Sequence, residues 1–309
     1  MYYCDKKCQK RDWIQSHRQE CHIFLNFGQY LNRDCDRFLL RLWLKTQFTE
    51  KHIETHELYN GLKRSFADLM THSQEIREDM KRIKYFNDIC DRFKSFGLDF
   101  ESEQLFLLFS KICINSFSIL NEDLNEIGSG LYICGSVFNH SCQPNAAIIF
   151  NGIDLEVRAI KPIASTEEVV INYIDLKSNR NDRMTRLREQ YYFDCNCNKC
   201  FTHSDSNIDY SLVKNLDKDF DQLITDQSDW KKCYSIGIQS IPLYQQIYDD
   251  FHPDLTVQLM RVLKVKALIT ESLEQKDTLE LIHKTKNAIK TTHGFQHKIF
   301  NIFKNTIGL

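Results

Sequence analysis

The stretch Cys195-Asn196-Cys197-Asn198-Lys199-Cys200 places three cysteines within six residues, and Asn139-His140-Ser141-Cys142 places a fourth one upstream. Three cysteines this close together cannot all pair with one another as disulfides, and a reduced cluster of this density usually closes on a metal ion. Cys142 is the candidate for the fourth ligand, because it lies in a polar turn between a helical region and a region of strands. These residues predict a closed four-thiolate zinc site that ties the turn at 139–145 to the segment at 193–200.

The composition is that of a globular chain. It has 309 residues, of which 42% are hydrophobic, enough for a sizeable core and two or three structural units. The formal net charge is -2, so direct binding to nucleic acid, which needs a basic surface, is not expected. The first residues contain no apolar targeting segment, and no apolar run approaches the length of a membrane span. We therefore expect an intracellular protein without a membrane partner, whose 12 cysteines are reduced.

Short β-branched runs follow Cys142, at 146–150, 155–160 and 168–173, and they predict three strands. Asn151-Gly152 between the first two runs predicts a hairpin turn, because this dipeptide is the strongest short-range hairpin signal. Elsewhere the apolar residues recur at helical spacing. The segments predicted to be helical are 23–96, with individual helices at 52–70 and 74–94, a buried helix at 101–120, a polar helix at 179–190 with its arginines facing solvent, and a series within 209–309.

Three motifs in chain order resemble the catalytic half of a SET domain: Asn139 to Asn145, then Ile171-Asn172-Tyr173, then Tyr191 to Cys200. In combination they are similar to the SET and MYND domain lysine methyltransferases. The resemblance implies an α+β fold, in which a SET-type β-fold carries a helical insert and a post-SET zinc loop and is followed by an α-helical, tetratricopeptide-like C-terminal domain. The implied parts are a partial MYND-type zinc finger at 1–22, a helical insert at 23–127, the SET core at 128–178, the post-SET zinc loop at 179–203 and the helical domain at 204–309.

Four further residues of the types that bind metal ions lie near the N-terminus: Cys4, Cys8, His17 and Cys21. Ligands four residues apart face one side of a helix, so these four side chains could form a single Cys3His site. With Trp13 between them, the pattern resembles the second half of a MYND finger, in which the first two residues complete one zinc site and the last two complete another. A helical segment without metal is the third alternative.

The same resemblance places two family features upstream of Met1. These are the first cysteine pairs of the MYND finger and the Gly-x-Gly turn that cradles the methionine end of S-adenosylmethionine. Gly128-Ser129-Gly130 follows a helical stretch, so we interpret it as local backbone freedom and not as that turn. The sequence is therefore expected to be truncated at its N-terminus relative to the family.

The resemblance also implies roles for the site residues. Tyr173 would be the catalytic residue, with its hydroxyl at the end of the substrate-lysine channel and against the cofactor. Asn139, His140 and Phe193 would contact S-adenosylmethionine, and Phe117 and Tyr191 would line the channel. Each role has a plainer alternative: Phe117 and Tyr173 as core residues, Asn139 as a turn former, and Phe193 as a cap on the metal site.

Two functions are consistent with these features. The first is a protein-lysine N-methyltransferase that uses S-adenosylmethionine and Zn²⁺ and acts on a histone or another protein, in the cytoplasm and nucleus. The second is a catalytically weak or inactive SET-fold zinc protein that works as an interaction module. In either case the C-terminal helices are a possible binding surface for a peptide partner.

Overall fold

The computed structural model describes residues 3–31, 34–48, 57–59, 61–202, 207–270 and 272–308. Within those ranges, no helix combines the length and the apolar character that crossing a lipid bilayer requires. The chain forms two compact units. The first comprises Met1–Ser118 and Gly128–Val137, and the second comprises Ile119–Ile127 and Phe138–Leu309.

The first unit is mostly helical. Its helices are α1 Lys6–Asp12, α2 Arg18–Phe27, α3 Asp34–Phe48, α4 Ser73–Glu78, α5 Met80–Ser95 and α6 Ser102–Asn115, with a π-helical turn at Trp13–His17 and 3-10 turns at Gly28–Tyr30 and Phe66–Asp68. Side-chain caps fix two of the helix starts. Asp79 accepts hydrogen bonds from two backbone N–H groups of α5, and Glu101 does the same for α6. The apolar faces of these two helices meet through aromatic pairs such as Phe86 and Phe106, whose ring centroids are 5.1 Å apart.

The predicted helix at 52–70 is wrong. Glu57–Tyr59 (β1) and Leu62–Arg64 (β2) form an antiparallel pair, and the chain then enters the 3-10 turn at Phe66–Asp68. Gly61 lies between the two strands with φ +79°, a conformation that suits glycine and interrupts a helix. Residues 52–56 of the predicted helix lie outside the described residues.

The predicted helix at 101–120 is too long at its C-terminal end. Helix α6 ends at Asn115, whose side-chain amide donates to the carbonyl oxygens of Met70 and Lys111. The chain continues as β3, Ser116–Leu120, which forms a two-stranded sheet with β4, Glu126–Leu131. Phe117 therefore lies on a strand. The division between the two units runs through β3 and β4.

The second unit contains the remaining strands, β5 Asn139–His140, β6 Ala146–Asn151, β7 Asp154–Ala159 and β8 Val170–Ile171. Strands β6 and β7 pair antiparallel from Ala146↔Ala159 to Asn151↔Asp154, which confirms the predicted hairpin. Gly152 takes φ +70° at the first position of the two-residue turn, and only a residue without a Cβ does this at no cost. Strands β5 and β8 pair in parallel, Asn139 with Val170 and His140 with Ile171.

Helices form the rest of the second unit. They are α7 Arg180–Tyr191, α8 Asn198–Thr202, α9 Tyr210–Asp226, α10 Trp230–Tyr248, α11 Pro253–Ile269, α12 Lys276–Thr292 and α13 Lys298–Thr306. Eleven of the 17 residues of helix α11 are buried. Gly237 of α10 permits a close approach, because a Cβ there would lie 2.6 Å from the Val262 side chain and 2.8 Å from the Phe220 ring. A helical C-terminal region follows the SET-type segment, in agreement with the predicted fold class.

Polar groups are also buried in this unit. Arg183 of α7, expected to face solvent, is fully buried, and its Nη1 donates to the Ser178 carbonyl oxygen. His297 pairs through Nε2 with the Phe150 carbonyl oxygen at 3.0 Å, which fixes the start of α13 against β6. The neighbouring His293 is buried, and burial, with lesser effects from His297 and Arg158, lowers its pKa to about 3.

The low pKa of His293 predicts how stability depends on pH. The histidine pKa is about 6.5 in the unfolded chain, so between that pH and the folded value the unfolded chain binds the extra proton. The stabilisation is therefore fully present above pH ~6.5 and decreases on acidification by about 1.4 kcal/mol per pH unit. We expect His293→Gln to flatten the pH dependence of the unfolding free energy by that slope between pH ~6.5 and ~4. Denaturant titrations at several pH values measure it.

His283→Gln is the matched control, because that histidine lies on the exposed side of α12. It should leave the slope of the wild-type protein unchanged. Parallel pH profiles for His293→Gln and the wild-type protein would contradict the assignment of a neutral, buried His293.

Candidate metal centre and active site

Hydrogen bonds to the strand partner fix the turn that carries Cys142. The Ser141 N–H donates to the Ile171 carbonyl oxygen at 2.8 Å. The buried Asn145 side chain accepts from the Val170 N–H at 2.9 Å and donates to the Glu168 carbonyl oxygen at 2.8 Å and the Glu167 carboxylate at 2.9 Å. This one amide therefore holds the C-terminal end of the turn on β8 and on the two residues just before it, a role that the sequence had not indicated.

The segment at 193–200 reaches this turn because α7 ends sharply. Tyr192, the residue after the helix, takes the left-handed conformation with φ 60° and reverses the chain. The carbonyl oxygen of Cys197 then accepts the N–H groups of Cys200 and Phe201, which starts α8. Arg180, at the beginning of α7, donates from Nε to the Cys200 carbonyl oxygen at 2.7 Å. The segment is thus held at both of its ends by α7.

Four cysteine sulfurs converge where these two segments meet. The Sγ atoms of Cys142, Cys195, Cys197 and Cys200 all lie within 4.8 Å of one another. The sulfur of Cys142 is 4.0 Å from that of Cys195 and 3.5 Å from that of Cys200. Tetrahedral zinc with Zn–S bonds of about 2.3 Å requires sulfurs about 3.8 Å apart. The spacing and the donor chemistry of these four residues therefore fit a zinc ion.

The protonation chemistry of the cluster also suits a cation. Hydrogen bonding, from Cys142 first, holds the pKa of the Cys197 thiol far below its usual range and lowers that of Cys200 to about 7. The same set of hydrogen bonds, with Cys195 first, raises the pKa of Cys142. Cysteines 142, 195 and 200 are buried, so a negative charge shared among the sulfurs has little access to water. A divalent cation would neutralise that charge and replace the shared protons.

His140 links this cluster to the predicted catalytic tyrosine. Its Nδ1 accepts the backbone N–H of Tyr173 at 3.0 Å, so its Nε2 carries the proton and lies 3.3 Å from the Cys142 sulfur. Burial lowers the pKa of His140 to about 4, which keeps the ring neutral. The resemblance implies that this residue contacts the cofactor, mainly through its backbone. Its side chain instead acts as an outer-shell donor to a candidate metal ligand.

The Tyr173 hydroxyl donates to the Phe138 carbonyl oxygen at 2.5 Å, and three other aromatic rings lie near the tyrosine ring. From the Tyr173 ring centroid, the ring centroid of Tyr191 is 4.9 Å away, that of His140 5.4 Å and that of Phe193 6.4 Å. Burial, followed by the effects of Tyr191 and Glu168, raises the tyrosine pKa to about 12. The phenol is therefore neutral and is a hydrogen-bond donor at physiological pH. Tyr173, Tyr191, Phe193 and His140 form one aromatic group beside the cysteines.

Two other predicted site residues have different contacts. Asn139 is exposed, and its amide donates to the Glu168 carboxylate at 2.7 Å. Phe117 belongs to the first unit, where its ring packs edge-on against Tyr132 with centroids 5.9 Å apart. Its place in a substrate channel stays a prediction.

The N-terminal residues form a smaller group. Cys4, Asp5 and Cys8 place one ligand atom each within 4.8 Å, and the two sulfurs are 2.8 Å apart. His17 pairs instead through Nδ1 with the buried Glu20 carboxylate at 3.1 Å. In the described part of the chain, no group of three or more potential ligands includes His17 or Cys21. The structure thus brings together the two cysteines that the resemblance assigned to one zinc site.

Comparison with known proteins gives a consistent result. A family model described as SET domain matches residues 1–174. Histone-lysine N-methyltransferase SMYD3 of Mus musculus is 35% identical over 236 residues, which cover 74% of this chain and 50% of that protein. N-lysine methyltransferase SMYD2-B of Danio rerio is 33% identical over 221 residues, which cover 70% of this chain and 49% of that protein. The chain spans about half the length of the curated relatives it matches.

The four-cysteine cluster predicts the metal content of the protein. Purified from zinc-supplemented cells, Cys197→Ser should contain about one zinc equivalent less than the wild-type protein, because three thiolates hold the ion less tightly than four. Elemental analysis by mass spectrometry measures the difference. Cys233→Ser is the control, since Cys233 is also buried in the second unit but belongs to none of these groups. Equal zinc in both variants and in the wild-type protein would contradict a zinc site at this cluster.

Proposed function

Because this chain belongs to the SET domain family, within its SET and MYND branch, we propose that it is an S-adenosylmethionine-dependent protein-lysine N-methyltransferase. We propose a histone or another lysine-bearing protein as its substrate, and the cytoplasm and nucleus as its location. The observation that carries the proposal is the neutral hydroxyl of the partly buried Tyr173, in an aromatic group that is fixed to a cluster of four thiols.

The chemistry requires placement more than activation. The methyl group of S-adenosylmethionine is bonded to a sulfonium sulfur, and this sulfur is already a good leaving group. The acceptor lysine must lose its proton to water and approach in line with the carbon–sulfur bond; the amine then forms the new nitrogen–carbon bond and S-adenosylhomocysteine leaves. Burial of an amine among aromatic rings favours its neutral form. Tyr173 and Tyr191 supply such an environment, and a neutral hydroxyl at Tyr173 is able to orient the amine.

The cofactor contacts are assigned to Asn139, His140, Tyr173 and Phe193. The aromatic faces of His140, Tyr173 and Phe193 suit a partly apolar, cationic ligand. The amide of Asn139 bonds to Glu168 in this structure, so a cofactor contact through that amide would replace this hydrogen bond. We assign the zinc ion at Cys142, Cys195, Cys197 and Cys200 a structural role, since four protein ligands leave no open coordination position.

The remaining assignments follow from the family. Cys4 and Cys8 are proposed to hold zinc in one MYND-type site, and His17 and Cys21 are proposed for the other. Phe117 and Tyr191 are proposed to line the lysine channel. The five-part division of the chain and a peptide-binding surface on the C-terminal helices are also proposals. No observation favours the alternative of an inactive interaction module.

Cofactor binding tests the proposal without requiring a substrate. S-adenosylhomocysteine at about one hundred times its dissociation constant should stabilise the native protein by about 2.7 kcal/mol, because it binds the folded state alone. A thermal shift that grows with ligand concentration is the expected result, and adenosine plus homocysteine at equal concentrations is the control. If millimolar S-adenosylhomocysteine caused no thermal shift, the protein would not bind this ligand, and the proposal would be contradicted.

Transfer itself is tested at Tyr173. With tritiated S-adenosylmethionine and a mixture of core histones and total cell protein, the wild-type protein should label lysine side chains. Tyr173→Phe should lower the rate about a hundredfold, because the hydroxyl that orients the amine is lost while the ring remains. Tyr30→Phe, at an exposed position in the first unit, is the matched control and should retain the wild-type rate. Equal labelling by both variants would contradict a catalytic role for Tyr173.

A further inference from the structure

The junction between α10 and α11 contacts the segment that carries Tyr173. His252, the residue before α11, is only 3% exposed, and its Nε2 lies 3.2 Å from the Asn172 side-chain oxygen. The other end of that amide donates from Nδ2 to the Ile174 carbonyl oxygen at 3.2 Å. Because Asn172 and Ile174 flank Tyr173, the hydrogen bond between them spans the backbone of the tyrosine, and His252 holds the amide that makes it.

The His252 ring has one orientation. It stacks on Tyr248 with ring centroids 4.4 Å apart and planes 17° from parallel. The Asn172 side-chain oxygen can only accept, so the Nε2 opposite it carries a proton and donates, while Nδ1 lies 3.0 Å from the Asp254 carboxylate and 3.3 Å from the Asp254 backbone nitrogen. The hydroxyl of Tyr248 reaches back to the Asp175 carboxylate at 3.4 Å. Two residues of the junction are therefore bonded to the segment at 172–175.

The same junction also supports the cysteine segment. Lys199, between Cys197 and Cys200, is 5% exposed, and its amine donates to the Ile247 carbonyl oxygen at 2.9 Å. That carbonyl lies in the last turn of α10, where a cation is favourable. The end of α10 and the start of α11 thus contact both the tyrosine segment and the cysteine segment, the two parts that meet in the aromatic group.

We propose that His252 is a positioning residue for Tyr173, through which the C-terminal helices fix the place of the tyrosine hydroxyl. The inference rests on the proposed methyl transfer. On one side the Tyr173 backbone is held by His140 and by the Tyr191 hydroxyl, 3.4 Å from its carbonyl oxygen. On the other side only the Asn172 amide, oriented by His252, spans the residue in the contacts described above. Without that donor the amide keeps only its hydrogen bond to the Ile174 carbonyl oxygen, and the position of the Tyr173 ring is fixed less tightly.

Three substitutions at position 252 separate positioning from simple structural loss. In His252→Gln the side-chain amide nitrogen lies about as far from the backbone as Nε2 of the native histidine does. In His252→Asn the amide nitrogen lies only about as far out as Nδ1. We expect His252→Asn and His252→Ala to lower kcat about tenfold, with KM for the acceptor and S-adenosylhomocysteine affinity unchanged within about twofold. His252→Gln should restore kcat to within about threefold of the wild-type protein. Equal losses in all three variants would overturn the proposal.

A control and a second site accompany these variants. Lys161→Met removes a 2.6 Å ion pair with Asp249 at the same junction without touching Asn172, and it should keep the wild-type kcat. Asn172→Ala should lower kcat as much as His252→Ala does, and the double variant should show no further loss. Additive losses in the double variant would overturn a shared path from His252 to Tyr173.

A spectroscopic readout distinguishes this inference from the proposed function. With tyrosines labelled by carbon-13 at Cζ, the Tyr173 signal is the one that disappears in Tyr173→Phe. That signal should move in His252→Ala and His252→Asn and stay in place in His252→Gln and Lys161→Met. An unmoved signal in His252→Ala would overturn the positioning role. If the wild-type protein transferred no methyl group while the signal moved as expected, the coupling would stand and only the proposed function would fail.

Discussion

The second unit depends on the convergence of four sulfurs from two distant segments. Cys142 comes from the turn after β5, and the other three come from the segment that follows α7. Neither segment is long enough to form a hydrophobic core of its own. The cysteine cluster is therefore what holds the two segments together. A shared negative charge among mostly buried sulfurs is costly without a cation, and a zinc ion would remove this cost and fix both segments. Phe193 of the aromatic group lies two residues before Cys195 and is therefore ordered by the same cluster.

Polar contacts carry this order from the sulfurs to the tyrosine. His140 joins the Cys142 sulfur to the Tyr173 backbone, and the hydroxyl of Tyr173 is directed at the Phe138 carbonyl oxygen. A buried network of this kind is specific, because each donor has one acceptor and an unpaired member would be costly. His140 is neutral through burial, so the link does not change its charge in the physiological range. His252 supports the same backbone from the helical side through Asn172.

Local sequence patterns predicted the parts of the fold that depend on local chemistry. The spacing of the cysteines indicated their convergence, and Asn151-Gly152 indicated the β6–β7 hairpin, which has the expected turn. The helix predicted at 52–70 failed because Gly61 and the pairing of β1 with β2 outweigh the apolar spacing. The end of α6 was misplaced because the chain beyond it forms β3, which pairs with β4. Helical spacing of apolar residues does not reveal such pairing between strands. The contacts of the buried Arg183 with Tyr210, of Asn145 with Val170 and of His252 with Asn172 are tertiary. Each depends on a partner distant in sequence, so no short motif marks it.

The identity of the metal and its ligands can be measured at the zinc absorption edge. In a Cys4→Ser, Cys8→Ser, His17→Ala, Cys21→Ser variant, the N-terminal candidate ligands are removed, and the cluster at Cys142 is the only four-cysteine group among the described residues. Extended X-ray absorption fine structure of that protein should show one zinc ion with four sulfur neighbours at about 2.3 Å and no nitrogen or oxygen in the first shell. A spectrum with nitrogen or oxygen ligands, or a protein without zinc, would contradict the four-thiolate anchor on which the tyrosine site depends.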